Sequence, residues 1–277
     1  MVMEKNVACE TRDLFGLAPQ ELALYPTLSA HDIQASFLPA DVPRIEGWTF
    51  VASLEPACHF SGDLYDFISL PGGRWGVLIA DVADKGMPAA LYMALFRILV
   101  REHAPDYVDD PAACLQAVND QLLTETRADL FVTAFYGILD PDTGEMRFSN
   151  AGHNPPYLCR RNSAPPKALQ TAGMALGIIP HIQLGDAGVR LAPGDYLVLY
   201  TDGLTEAHDQ AFNEFGKARL LAEIVRWDGA SVGTIHHCIR VAVREFVGDA
   251  PQFDDLTLVV MGRRPGRVKI RGQGEKT

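Results

Sequence analysis

The sequence predicts an α/β protein in which antiparallel sheets pack together and helices cover them. Two hairpin signals lead to this prediction, because the turn-forming segments 71–73 and 140–144 each lie between two short apolar runs. Long helical patterns separate the groups of strands along the chain. This order of elements fits packed sheets with outer helices better than it fits the regular alternation of a parallel sheet.

The N-terminal residues 1–38 predict a helical segment that precedes the main domain. The run HDIQASFL at 31–38 is typical of a helix that ends before Pro39. Residues 39–47 are rich in turn formers and mark a boundary. We therefore expect a main domain over 39–262, preceded by a regulatory or dimer-forming element.

Three strand candidates follow this boundary. Apolar residues recur at every second position over 48–54, which predicts a half-buried strand. The runs 64–70 and 75–82 are short, apolar and joined by a tight turn, so they predict an antiparallel hairpin.

Two helices come next. A helical pattern runs from Pro88 to about His103 and is apolar on nearly every face, which indicates a deeply packed helix. Asp110 and Pro111 are suited to the N-cap and first turn of a second helix that reaches about Thr126.

The C-terminal half alternates between apolar strands and helical patterns. Its predicted elements are strands 131–139 and 145–150, an irregular stretch 161–188, a buried strand 196–200, helices 217–227 and 231–247, and a final strand 255–261. Residues 263–277 carry several arginines and lysines and predict a solvated, mobile tail, with a local docking patch as the alternative.

Composition and charge narrow the classes of function. The formal net charge of −11 argues against non-specific binding of nucleic acid or an anionic membrane. The sequence shows neither a signal peptide nor an apolar run of membrane-spanning length. The five cysteines form no CxxC pair, so we expect reduced thiols in a cytoplasmic protein.

Several aspartates occupy the same kind of position, at a junction between an apolar strand and a loop. They are Asp63, Asp81, Asp202, Asp254 and Asp255. Any one of them alone is readily explained as a turn or capping residue. Carboxylates that converge raise one another's pKa unless a cation lies among them, and oxygen-only ligands select Mg²⁺ or Mn²⁺ over Zn²⁺.

Six motifs follow one another along the chain: SGDLYDF, DVADKGMPAALYMA, FVTAFYGILD, SNAGHNPP, LAPGDYLVLYTDGLTEA and FDDLTLVV. Together, over residues 32–261, they resemble the metal-dependent protein phosphatase superfamily (PPM, type 2C), and within it the bacterial sporulation-phosphatase and sigma-factor-regulator branch. The resemblance implies a four-layer α-β-β-α sandwich of two mainly antiparallel sheets flanked by helices, with metals at one edge between the sheets.

The resemblance also implies a site for two Mn²⁺ or Mg²⁺ ions. Asp81 matches the aspartate that bridges both ions, and the backbone carbonyl of Val82 is a further ligand. Asp202 matches a second ligand near both ions, and Asp254 matches the acid of the closing D-[DN]-x-[TS] motif. Asp63 matches the acid of the GGDxYD motif, which acts directly or through water. Asp81 and Asp202 are accordingly expected to be the catalytic residues.

Five other positions near these motifs need comment: Ser61, Asp84, Lys85, His153 and Asp255. Ser61 replaces the first glycine of the GGD motif, which matters only if that position needs positive φ. Asp255 is expected to be a neighbour of the ligands, and Asp84 either reaches a third metal or faces solvent. Lys85 either attracts phosphate or makes a surface contact. His153 is either a general acid or a structural histidine beside the Asn154-Pro155 turn.

The implied reaction is attack on phosphorus by a metal-activated water. The expected substrate is phosphoserine or phosphothreonine on a small regulatory protein of the anti-sigma-factor antagonist type. Control is expected from a separate activator protein or from a homodimer built on residues 18–38. Two alternatives stay open: a non-catalytic phosphatase fold that docks a signalling protein, and a two-metal phosphodiesterase acting on nucleotides.

Overall fold

The computed structural model describes residues 30–161 and 165–265. Ten strands make up the two sheets: β1 Trp48–Glu55, β2 Asp63–Ser69, β3 Trp75–Val82, β4 Val132–Leu139, β5 Glu145–Ala151, β6 Tyr157–Cys159, β7 Lys167–Ala168, β8 Ala187–Arg190, β9 Tyr196–Tyr200 and β10 Leu256–Arg263. Six α-helices lie in the same ranges: α1 Ala30–Phe37, α2 Met87–His103, α3 Pro111–Glu125, α4 Asp202–Thr205, α5 Gly216–Arg226 and α6 Val232–Val247.

Each sheet has five strands, and every pairing within a sheet is antiparallel. One sheet has the order β1-β10-β9-β6-β7, and the other has the order β2-β3-β4-β5-β8. We call them the first and the second sheet. The α/β class with two antiparallel sheets is therefore confirmed.

Three hydrophobic clusters show that the layers are stacked as helix, sheet, sheet, helix. The first joins α2 and α3 to the second sheet, and Leu78 of β3 belongs to it. The next residue, Ile79, belongs to the cluster between the two sheets. The third joins the first sheet to α5 and α6. Successive side chains of a strand point to opposite faces, so strands in the middle layers are apolar at every position.

The hairpin of β2 and β3 forms as predicted. Its turn is a short 3₁₀ segment, Pro71–Gly73, in which Gly72 and Gly73 have φ values of 72° and 74°. Residues with a Cβ rarely adopt such angles, which is why glycines occupy both places. The resulting register places Asp63 directly opposite Asp81.

The two predicted helix starts are also confirmed. Gly86 caps α2 with φ 77° and ψ −152°, a backbone region open to glycine and almost no other residue. Asp110 caps α3, and its side chain accepts a hydrogen bond from the backbone N–H of Ala113, with Pro111 in the first turn.

Three strands lie in or beside stretches that the sequence left irregular or unassigned. They are β6, β7 and β8, of three, two and four residues. Strands this short do not show a recognisable period, and only pairing defines them: β6 pairs with β9, β7 with β6, and β8 with β5.

The C-terminal boundary needs a correction at Arg263. The sequence places this residue in a mobile tail, but β10 continues through it. Its guanidinium donates to the carbonyls of Asp142, Thr143 and Leu191. The partners are far away in sequence, so the local charge pattern could not reveal them. Residues 1–29 and 266–277 lie outside the described residues, and the remaining domain limits stay predictions.

Free thiols are found at Cys58, Cys114, Cys159 and Cys238, while Cys9 lies outside the described residues. Within 30–161 and 165–265, no helix combines the length and the apolar character that crossing a membrane would require.

Candidate functional site

Strand ends from both sheets meet at one edge of the sandwich. In the second sheet β2 begins where β3 ends, and in the first sheet β10 begins where β9 ends. Asp63 opens β2, Asp81 is near the end of β3, and Asp202 follows β9. Asp254 and Asp255 precede β10. We call these five side chains the carboxylate cluster.

Asp63 connects the two sheets. Its Oδ2 accepts hydrogen bonds from the hydroxyl of Thr201 at 2.7 Å and from the hydroxyl of Thr257 at 2.6 Å, and both donors lie at the edge of the first sheet. Only 2% of Asp63 is exposed. Burial, and after it the charge of Asp81, raises the pKa of Asp63 well above its usual value, although the two hydroxyls act in the opposite direction.

The neighbouring acids also favour the protonated form. Burial raises the pKa of Asp81 to about 7, and the charges of Asp202, Asp254 and Asp255 add to the effect. Burial and the charge of Asp254 raise the pKa of Asp202. These carboxylates therefore repel one another at neutral pH, and a cation among them would remove the repulsion.

The donor set fits a hard divalent ion. The available atoms are carboxylate and backbone carbonyl oxygens, which Mg²⁺ and Mn²⁺ prefer. Across 30–161 and 165–265, no three acidic, histidine or cysteine side chains are close enough to enclose an ion by themselves. An ion here would thus complete its shell with backbone oxygens and water, as Mg²⁺ ordinarily does.

Two glycines allow the backbone to pack closely at the cluster. A Cβ at Gly62 would lie 3.0 Å from the carbonyl oxygen of Val82, the predicted backbone ligand. A Cβ at Gly203 would lie 2.0 Å from the carbonyl oxygen of Asp255. Space therefore requires the glycine of the TDG motif, and a side chain at Gly62 would press on the carbonyl of Val82.

Asp255 and Asp254 have different surroundings. Both oxygens of Asp255 are occupied, because they accept hydrogen bonds from the backbone N–H groups of Ala57 and Gly62, each at 2.8 Å. Asp255 thereby fixes the loop before β2. Asp254 instead forms an ion pair with Lys85 at 2.9 Å and is partly exposed. This contrast is consistent with Asp254 as the ligand and Asp255 as its neighbour.

Lys85 makes more contacts than an ordinary surface lysine does. Besides its ion pair with Asp254, its ammonium donates to the carbonyl of Phe253 at 2.8 Å and lies 4.1 Å from the centre of the Phe253 ring. It also faces the acids of the site, since its charge lowers the pKa of Asp202 and of Glu206. In both groups burial outweighs this effect and the net shift is upward.

Ser61 and Asp84 illustrate how departures from the motif are accommodated. Positive φ occurs at Asp84 (98°) but not at Ser61, so serine fits where the family has its first glycine. The hydroxyl of Ser61 accepts from the N–H of Asp63 at 3.1 Å. Asp84 is exposed, and its Oδ1 accepts from the N–H of Lys85. Its positive φ is a conformation that glycine adopts more readily than a residue with a side chain.

His153 has the surroundings of a structural histidine. Its Nδ1 lies 2.9 Å from the hydroxyl of Thr133, and its backbone is held by both atoms of the Asn150 amide. Burial lowers its pKa to about 4. A neutral ring at physiological pH has no proton to spare for a leaving group, which argues against the general-acid alternative.

Sequence reasoning missed two residues that support the site. Gln34 of α1 donates to the carbonyl of Ser61 at 2.5 Å and accepts from its N–H at 3.0 Å, which ties the first helix to the loop before Asp63. Asp66 is fully buried and pairs with Arg97 and Arg101 of α2. An acid inside the apolar run of β2 was a visible signal for a buried ion pair.

The two threonines whose hydroxyls donate to Asp63 also lie in recognisable sequence motifs. Thr257 is the last position of the D-[DN]-x-[TS] motif, and Thr201 precedes Asp202 in the TDG motif. Their role could not be assigned because it depends on a residue in the other sheet.

This chain is similar in sequence to known proteins. The family model described as stage II sporulation protein E (SpoIIE) matches residues 71–264. Protein IcfG of Synechocystis sp. is 29% identical over 262 residues, which cover 83% of this chain and 40% of that protein. The phosphoserine phosphatase RsbU of Bacillus subtilis is 28% identical over 238 residues, covering 85% of this chain and 69% of RsbU.

A solved structure shares the fold. The SiaA-PP2C domain of Pseudomonas aeruginosa superposes with a TM-score of 0.72 at 23% identity, covering 84% of this chain and 94% of that domain. The chain thus spans less than half of IcfG but nearly the whole of a PP2C domain.

Proposed function

Because this chain belongs to the SpoIIE family, in the sporulation and sigma-regulator branch of the PP2C phosphatases, we propose that it is a metal-dependent serine/threonine protein phosphatase. Its proposed substrate is phosphoserine or phosphothreonine on a small regulatory protein of the anti-sigma-factor antagonist type. The relative RsbU, which bears the name phosphoserine phosphatase, supports this choice of substrate class.

One observation carries the proposal: strand ends of both sheets bring carboxylates together, and burial first and the neighbouring acids second raise the pKa of Asp63, Asp81 and Asp202. A fold that served only to bind a partner would gain nothing from this repulsion, because it costs stability at neutral pH. The arrangement is useful when divalent ions are bound.

We assign the binding of two Mn²⁺ or Mg²⁺ ions to Asp63, Asp81, Asp202, Asp254 and the carbonyl of Val82. When bound, the ions supply a water of lowered pKa and positive charge to balance the phosphoryl oxygens. The chain's own part is to keep the acids in position. Thr201 and Thr257 orient Asp63, and Asp255 fixes the loop beside it. No covalent phosphoenzyme is needed.

A direct experiment measures phosphate release from a phosphoserine peptide in the presence of Mn²⁺, for the wild type and for Asp81→Asn. We expect the variant to lose at least about a hundredfold in kcat, because it removes one of the carboxylates that would hold the ions. Asp106→Asn, at an exposed turn, is the matched control and should behave like the wild type.

The competing function is a non-catalytic module that docks a signalling protein. If the wild type released no phosphate from phosphoserine peptides or p-nitrophenyl phosphate, with either Mn²⁺ or Mg²⁺, the phosphatase proposal would be wrong and the docking module favoured. Hydrolysis of a cyclic dinucleotide to its linear product, with no phosphate released from any phosphoserine substrate, would favour the phosphodiesterase instead.

A further inference from the structure

We propose that a cavity beside the carboxylate cluster binds an apolar side chain of the substrate protein, next to the phosphorylated residue. The proposal rests on the proposed function and adds a basis for its choice of substrate. We call this space the side cavity. It lies between α6 and the loops that follow β9 and precede β10.

The side cavity has an apolar floor and borders directly on the site. Its volume is about 190 Å³, and its floor includes Val243, Val247 and Leu256. Gly203 and Asp254, which belong to the site, also line it. A cavity of about 150 Å³ is enough to admit a benzene-sized group, so one aliphatic side chain fits here.

His208 and Phe253 line the cavity, and Phe212 lies against His208; we call these three side chains the aromatic rim. The ring of His208 lies 5.1 Å from that of Phe212 and 5.8 Å from that of Phe253. Phe212 is 80% exposed and Phe253 is 62% exposed. Aromatic residues this exposed beside a cavity are typical of protein-binding surfaces.

The loop that carries Phe212 is held in a strained conformation. Phe212 has φ 60°, which a bulky residue adopts only at a cost. Asp209 maintains the turn, since its side chain accepts from the N–H groups of Ala211 and Asn213. The loop thus holds the Phe212 ring in solvent, where it contributes nothing to the core.

The position of the cavity against the carboxylate cluster points to the substrate protein as its occupant, and its polar lining carries both signs of charge, with Glu55, Glu206 and Asp254 beside two arginines. Arg240 and Arg244 line the cavity, and both face the same carboxylate, Glu55. The side chain of Arg244 is 70% exposed, and its nitrogen lies 3.7 Å from Glu55, so it can also pair with a substrate acid. Lys85 stacks on Phe253 between this rim and the cluster.

The test uses pairs of short phosphoserine peptides. The two peptides of a pair differ at one position, which is leucine in one and alanine in the other, and each pair places this position at a different distance from the phosphoserine. With Mn²⁺ present, we expect the wild type to prefer leucine about tenfold in kcat/KM at one of these positions. Ala250→Phe, which fills the cavity from a half-buried loop position, should abolish the preference. Val243→Phe fills it from the floor and should do the same.

Two controls make the result specific. Hydrolysis of p-nitrophenyl phosphate, which has no side chain for the cavity, should stay within about twofold of the wild type in both variants. Ala40→Phe, at an exposed position of the linker, should retain the leucine preference. Either cavity variant suffices if the other fails to fold.

The outcomes separate this inference from the proposed function. Equal rates for every leucine and alanine peptide, with clear phosphate release, would overturn the side-cavity proposal and leave the phosphatase intact. A leucine preference that survives both cavity variants would also overturn it. No release from any peptide or from p-nitrophenyl phosphate would instead defeat the proposed function.

Discussion

The hydroxyl of Thr257 in one sheet donates to Oδ2 of Asp63 in the other at 2.6 Å, across 194 residues of sequence. This bond and its counterpart from Thr201 satisfy one oxygen of a buried carboxylate. The last position of the D-[DN]-x-[TS] motif therefore orients a candidate metal ligand of a different motif.

Replacing Thr257 by valine should weaken ion binding without unfolding the protein. Valine keeps the shape but removes the donor, and losing an outer-sphere partner typically costs about 10–100-fold in metal affinity. Titration calorimetry with Mn²⁺ measures this directly. Thr257→Ser retains the hydroxyl and should bind Mn²⁺ nearly as well as the wild type. Equal affinities for all three proteins would show that the bond has no such role.

The stability of the ion-free protein should fall as the pH rises through the range from about 4 to 7. Asp81 has a folded pKa of about 7 against a usual value of 3.8, so the unfolded chain releases this proton first. Its stabilising contribution is complete below pH 3.8 and is lost as the pH passes 7. Thermal melts in EDTA should therefore show a smaller decline for Asp81→Asn than for the wild type.

Divalent ions should reverse this trend. Because the carboxylates bind ions only when ionised, Mn²⁺ should raise the melting temperature more at pH 8 than at pH 5.5. The same increase at both values would contradict the link between ion binding and these acids.

Removing the charge of Lys85 should strengthen the binding of Mn²⁺ several-fold. The ammonium pairs with Asp254 and lowers the pKa of nearby acids, so it competes with an ion for the same negative charge. The measurement is calorimetric titration of Lys85→Gln at two salt concentrations. Lys217→Gln, an exposed lysine on α5, serves as the control. Weaker binding in Lys85→Gln would mean that the lysine organises the site instead of competing for it.

Asp66→Ala should destabilise the protein by about 3–5 kcal/mol, because it leaves two arginines without their buried partner. Asp186→Ala removes an exposed partner of Arg147 and should cost about 1 kcal/mol or less. Urea unfolding of both variants provides the comparison. A loss for Asp66→Ala as small as the control's would show that the ion pair does not hold α2 to the second sheet.

Local features of the sequence predicted most elements of the fold. Turn residues located both hairpins, and the Asp110-Pro111 pair located the start of α3. The short strands β6, β7 and β8 were not predicted, because two to four residues are too few to show an alternation of apolar and polar side chains. These strands form only by pairing with their neighbours in the sheets.

The sequence by itself determined that acids stand at the ends of apolar strands, because strand runs and loop residues are local patterns. Only the tertiary structure decided which groups meet there. Asp63 accepts hydrogen bonds from Thr201 and Thr257. Lys85 forms an ion pair with Asp254, and Asp66 forms ion pairs with two arginines. These contacts arise from antiparallel pairing within each sheet and from packing of the two sheets, which bring together residues that no local pattern relates.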